Sequence, residues 1–279
     1  VLSRHFVIWS RSPENNRAPG NTCMAACRAL GAGRAWTQAS QMGSKGCGAN
    51  MRVQPVALLK EMKPEARRGL AQLQAALTHG HPTALAAADL TAEAIHALTS
   101  GVAPDALPAH LRAYARSQRR VHHGAWLGDL WRRSGAATPE EYVAAGWDEC
   151  LGALDRLEAG LRAGDRSGDP CRVTGEGWVA EEALATGLLC FLLFPDDPQA
   201  ALDRAVRTAG DSDSIACLTG AFVGASRGPA AFPDDWYGRI EYAPRLHAVA
   251  DAMAHLSVYS KENLPPFAFH RLTDNLWSG

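Results

Sequence analysis

Asp211, Asp213 and Ser214 stand within four residues of one another in Gly210-Asp-Ser-Asp-Ser214. Their hard oxygen donors suit Mg²⁺ or Mn²⁺. Two carboxylates this close repel each other unless a cation or a proton lies between them. The competing reading is capping, because Asp and Ser at a helix start satisfy free N–H groups and the positive end of the dipole. A second stretch, Gly43-Ser-Lys-Gly-Cys-Gly-Ala-Asn-Met-Arg52, sets three glycines among Ser44, Lys45 and Cys47. Around Gly46 and Gly48 the backbone N–H groups can approach a ligand closely. Lys45 and Arg52 add charge suited to a pyrophosphate. The spacing is neither a Walker A loop nor a dinucleotide fingerprint, and a plain turn is the competing reading.

Helices must position these residues. After Ser214 a small-residue run places Ala216, Gly220 and Gly224 on one face. Two glycines there, each costing about 1 kcal/mol against alanine, imply that a neighbour has to come close. Asn21-Thr22 predicts an N-cap for a helix over Cys23–Leu30. Leu70, Leu73 and Leu77 give the helical period from Pro64 onward, and Thr78 is placed to cap a helix over Pro82–Leu90. Between Thr91 and Arg162 the leucine spacing predicts three or four more helices, one opened by the capping box Thr138-Pro-Glu-Glu141. Gly177-Trp-Val-Ala-Glu-Glu182 begins an apolar helix to Phe194, with Glu181 and Glu182 on its surface. Asp197 caps the helix after it. The expected class is all-α, as no pair of strands is evident.

Four motifs, in order from Arg17 to Ser214, resemble the ADP-ribosylglycohydrolase family, and Phe232-Pro-Asp-Asp-Trp236 with Arg239-Ile-Glu-Tyr242 resembles its closing region. Arg17-Ala-Pro-Gly-Asn-Thr22 is similar to its R-x-P-G-x-T segment. Residues 43–52 resemble G-S-x-G-N-G-x-x-M-R, which cradles ADP-ribose. Cys47 stands where that family has asparagine, so an amide hydrogen bond is lost there. Residues 177–184 resemble its G-W-V-A-x-E-A-L helix, and Gly210–Ser214 resembles G-D-T-D-T. The resemblance implies a compact orthogonal bundle of helices and hydrolysis of the bond between C1″ of ADP-ribose and a protein side chain or small acceptor. It implies a two-metal Mg²⁺ centre (Mn²⁺ possible) held on one side by Asp211, Asp213 and Ser214. Those two aspartates are also its catalytic candidates. Ser44, Lys45, Gly46, Cys47, Gly48, Met51 and Arg52 would bind the substrate, with His79 at the adenosine end and Trp178 walling the cleft. His81 is a weaker match, and Glu181 and Glu182 are acid–base candidates by residue type alone. The family's N-terminal G-D-A-x-G and D-D-T motifs have no counterpart in residues 1–60. The expectation is therefore a domain over 1–260 whose N-terminal part lies outside this chain, followed by a tail over 261–279. An inactive ADP-ribose-binding member of the same fold is the alternative.

Bulk composition narrows the class. Of 279 residues, 47% are hydrophobic and the net charge is −1, which provides no electrostatic footprint for nucleic acid or a membrane surface. The longest apolar run, Leu188–Phe194, is too short to span a bilayer. Seven scattered cysteines read as reduced core residues of a cytoplasmic protein. The chain is expected to act as a monomer on ADP-ribose or an ADP-ribosylated protein. An unrelated metal phosphohydrolase is disfavoured by the lack of an H-x-H-x-D cluster.

Overall fold

The structure is a computed structural model that describes residues 1–59 and 62–259, with side chains as far as Ala254. The expected tail, 261–279, lies outside the described residues. The main helices are α1 (Leu2–Arg11), α2 (Asn21–Gly31), α3 (Pro64–Ala76), α4 (Pro82–Thr99), α5 (Leu107–Gln118), α6 (Pro139–Ala163), α7 (Ala180–Leu193), α8 (Pro198–Val206), α9 (Ser212–Arg227) and α10 (Ala243–Tyr259). Among the described residues no strand forms, and the fold is all-α.

Two helices are buried nearly all round and form the axis of the core. Along α4, residues Thr83 to Ile95 are all buried, and α7 is buried from Ala183 to Phe191. A helix that is apolar on every face belongs inside a larger bundle. Helix α4 continues nine residues beyond Leu90, where the sequence suggests an end. Thr91 continues it because its side chain has a buried partner, donating to Asn50 Oδ1 at 2.8 Å. The cap of α4 also differs from expectation. His81 Nδ1 accepts from the Thr83 N–H at 3.2 Å, and the Thr78 hydroxyl accepts from Arg52 instead. Likewise Gly20, not Asn21 or Thr22, precedes α2, which frees Thr22 to meet Ser44 Oγ at 2.9 Å. The capping box of α6 forms as expected on one side, with the Glu141 N–H on Thr138 Oγ1 at 3.1 Å. Its return bond goes to the Ala137 N–H at 2.8 Å. Asp197 caps α8 through the Ala200 N–H.

The small-residue face of α9 does not serve the purpose its sequence suggests. A Cβ on Gly220 would rest 3.6 Å from Leu202 and one on Gly224 3.7 Å from Phe232, both ordinary contacts. The close helix approach lies on the other face and uses Gly187 of α7. There a Cβ would come within 3.0 Å of Leu218 Cβ, and Thr219 Oγ1 donates to the Gly187 carbonyl at 3.2 Å. Gly220→Ala is therefore expected to hold or raise stability by up to about 1 kcal/mol, while Gly187→Ala lowers it by about 1–3 kcal/mol. Urea unfolding of the two variants checks the contrast.

Between α3, α4 and α5 lies a buried polar cluster. Asp89 accepts from Tyr114 OH at 2.7 Å and Gln72 Nε2 at 2.8 Å, and Gln72 Oε1 has no partner. Burial pushes the Asp89 carboxyl up to about 7, despite the hydrogen bonds from Gln72 and Tyr114. A raised folded-state value gives stability that is complete below the ordinary carboxylate range and is lost as pH rises through about 7. Asp89→Asn removes that titration and can donate to the free Gln72 oxygen once the amide turns. The expected result is a melting temperature that falls less between pH 5 and 8 than in the unaltered protein.

Candidate active site

Two chain segments far apart in sequence meet at the N-terminus of α9, both bonded to the stretch 176–180. The first is the glycine-rich loop, residues 43–48, which is pinned on two sides. Gly46 pairs antiparallel with Val179, the Cys47 N–H donates to the Trp178 carbonyl at 3.2 Å, and the Ala180 N–H donates to the Lys45 carbonyl at 2.8 Å. Gln41 pairs in parallel with His79 on the opposite side. The strap lies on the imidazole. A Cβ on Gly46 would stand 3.4 Å from His79 Nε2 and one on Gly48 3.6 Å from His79 Cε1, ordinary contacts that do not by themselves require glycine. Asn50, which the sequence reading passes over, secures the strap from beneath through its Nδ2 on the Ala180 carbonyl at 3.0 Å.

The second segment turns into α9. The Asp211 N–H donates to the Glu176 carbonyl at 2.7 Å. Gly210 lies so close to that carbonyl that a Cβ would overlap it at 2.0 Å, so only glycine fits. Asp211 is the N-cap residue of α9, yet its carboxylate forms no cap bond. Its Oδ2 accepts instead from Ser214 Oγ at 2.8 Å and from Cys47 Sγ at 3.0 Å. The sulfur is also 3.3 Å from Ser214 Oγ. Asp211, Ser214 and Cys47 are buried, and Asp213 is exposed beside them. One turn further along α9, Cys217 lies against the Met51 carbonyl and Gln54.

The electrostatics follow from this packing. Burial opposes charge on Asp211, but hydrogen bonds from Asp213, Cys47 and Ser214 overcome it and hold the carboxyl below its usual range. Asp213 moves the other way, raised by its hydrogen bond to Asp211, by desolvation and by the charge of Asp211. Such a pair titrates as a unit and can hold one shared proton or cation. Burial pushes the Cys47 thiol up to about 12. His79 is buried and neutral, with its pKa lowered to about 3 by desolvation and then by Arg52.

The structure separates the expected ligand contacts into two groups. Ser44, Gly46, Cys47 and Gly48 form the strap beside Asp211. Trp178 flanks it with its indole 58% exposed, which suits a cleft wall and not a core position. The two cations are already engaged. Lys45 Nζ bridges Glu149 at 2.6 Å and Glu181 at 2.5 Å. Arg52 is held by Gln74 Oε1 at 2.8 Å, the Gln74 carbonyl and Thr78 Oγ1, both at 2.7 Å, and it covers the Phe6 ring at 4.5 Å. His79 packs against Gly46 and Gly48 of the strap and is only 2% exposed. Glu181, expected on a helix surface, is only 4% exposed, and its Oε2 is buried without a partner. Burial raises its pKa despite Lys45. Glu182 accepts from the Gly177 N–H at 3.3 Å and supports the turn before α7.

The sequence pattern of the ADP-ribosylglycohydrolase family matches residues 1–263. The chain belongs to this family. It is thereby a member of a hydrolase family that acts on ADP-ribosyl groups. No curated protein matches the chain. Among the described residues no helix is long and apolar enough to cross a membrane. Nor do three or more His, Cys, Asp or Glu side chains converge there on one point as a metal cage. A hydrated cation of the magnesium type does not require such a cage, because one or two carboxylates suffice and water fills the other positions. Asp211, Asp213 and the Ser214 hydroxyl fit one such ion. They supply donors for one side of a two-metal centre only.

Proposed function

We propose that this chain hydrolyses the glycosidic bond between C1″ of ADP-ribose and a protein side chain or small acceptor, with Mg²⁺ as cofactor. The observation that carries the reading is the pair Asp211–Asp213 at the start of α9, capped by Ser214 and roofed by a glycine strap. Magnesium bound there would orient the ribose hydroxyls and a water and would offset charge near the anomeric carbon. The protein's own residues do the rest. Asp211 stays ionised and Asp213 lies on the solvent side, so ligand oxygens reach the pair from outside. The strap presents backbone N–H groups and no bulky side chain to a pyrophosphate. Trp178 offers an exposed aromatic face for stacking. Lys45 contributes by tying the strap to Glu149 and Glu181, and Arg52 is already bonded to Gln74 and Thr78.

The test is release of ADP-ribose from ADP-ribosylated arginine and serine, measured with Mg²⁺ and with EDTA. Metal-dependent release from one substrate supports hydrolysis and identifies the linkage. A second reading, an ADP-ribose-binding member without turnover, is motivated by residues 1–60 having no counterpart to the family's D-D-T motif. Binding of ADP-ribose by calorimetry with no release under either condition would decide for it.

A further inference from the structure

Asn50 stands at an unspecified position of the 43–52 segment, yet its contacts decide where the strap lies. One residue, Ala180, holds the strap at both ends. The Ala180 N–H donates to the Lys45 carbonyl at 2.8 Å, and Asn50 Nδ2 donates to the Ala180 carbonyl at 3.0 Å. Residues 45–50 thus close into a ring about Ala180. Asn50 is fully buried, where an amide is costly unless it is bonded. Its Oδ1 accepts from Thr91 Oγ1 at 2.8 Å, which turns the amide nitrogen toward Ala180, and its own N–H donates to the Cys47 carbonyl at 2.8 Å. Beyond Cys47 the strap is also tied by Gln74 Nε2 on the Ala49 carbonyl at 3.0 Å. Of these two ties, Asn50 alone joins it to the stretch 176–180. That stretch also fixes the start of α9, where the Glu176 carbonyl receives the Asp211 N–H at 2.7 Å. Between the two anchors on Ala180, the N–H groups of Gly46 and Gly48 meet no acceptor among the described residues.

We propose that Asn50 positions the strap for ligand binding, by clasping Ala180 so that the Gly46 and Gly48 N–H groups keep a fixed distance from the Asp211–Asp213 pair. The inference rests on the hydrolase reading, in which one ligand spans both. Without the Asn50 amide the strap keeps its anchors at Lys45 and Cys47, but Gly48 is free to shift. A pyrophosphate contact lies away from the bond that is cut. Its loss therefore weakens the ground state and the transition state alike, so KM rises and kcat holds.

The experiment compares Asn50→Leu with Thr91→Val in steady-state release of ADP-ribose, beside ADP-ribose affinity by calorimetry. Leucine matches asparagine in shape and cannot bond to Ala180. Valine matches threonine and removes the hydroxyl, leaving the bond from Asn50 to Ala180 in place. Both variants should lower the melting temperature. Only Asn50→Leu should raise KM and weaken ADP-ribose binding, by about tenfold or more, with kcat within about twofold of the unaltered protein. If Asn50→Leu does not fold, Asn50→Ala takes its place, since it puts no apolar atoms against the Thr91 hydroxyl. An unchanged KM and affinity at position 50, or an equal rise in both variants, overturns the positioning role and leaves the hydrolase reading standing. If the unaltered protein binds ADP-ribose without release, the affinities alone decide. If it neither binds nor releases ADP-ribose, the hydrolase reading falls and this inference falls with it.

Discussion

Asp211→Asn is expected to abolish Mg²⁺-dependent release of ADP-ribose while leaving the fold intact. Asparagine matches the carboxylate in shape and still accepts from Ser214 Oγ and Cys47 Sγ, the two groups now at 2.8 and 3.0 Å. It removes the negative charge that the ion requires. Residues one shell outside a metal commonly cost 10–100-fold in affinity, so a direct ligand should cost more than about a hundredfold. Asp213→Asn should weaken binding less, because Asp213 is exposed and water can take its place. Calorimetry of Mg²⁺ binding, alongside circular dichroism, separates these outcomes. Unchanged affinity in Asp211→Asn would remove the central support of the proposed function.

The second large effect concerns stability and lies behind the strap. Lys45→Met leaves the buried Glu181 without its counter-charge, whereas Glu149, at 43% exposed, can turn to solvent. Breaking a buried pair from one side costs about 3–5 kcal/mol. The partly exposed Lys45 places this case toward the lower end. The sign of the pH dependence follows from Glu181. Its folded-state pKa is already raised by burial, and loss of Lys45 raises it further. The variant is therefore closest to the unaltered protein at acid pH, where Glu181 is neutral in both states, and furthest from it above the raised pKa. Melting temperatures at pH 5 and pH 8 should show the gap widening. Lys45→Met with Glu181→Gln should recover most of the loss. A gap that is equal at both pH values would mean that Glu181 is not the group responsible.

The two motifs that carry the site were legible because each is local. Gly210–Ser214 places its donors within one helical turn, and the strap announces itself by three glycines in six residues. What binds them together was not legible. Lys45 finds Glu149 and Glu181 at separations of 104 and 136 residues, and nothing near Lys45 in sequence distinguishes a phosphate ligand from a buried ion pair. Glu181 and Glu182 are the two acids of an otherwise apolar helix, which invites placing both on its surface, and only the partner on another segment reverses this for Glu181. The end assigned to α4 at Leu90 failed for the same reason, since Thr91 is held by Asn50, 41 residues away. The glycines of α9 misled because helix propensity records a cost without identifying the neighbour.

The contacts of Cys47 with Asp211 and Ser214 join positions 164 and 167 residues apart. Contacts of such length form late, because loop closure has to precede them. During synthesis the donors of α9 leave the ribosome long after the strap, when most of the core helices already exist. A partly folded chain can therefore bury much of its apolar surface and still have no cation site. Refolding followed by tryptophan fluorescence should then run ahead of the recovery of metal binding.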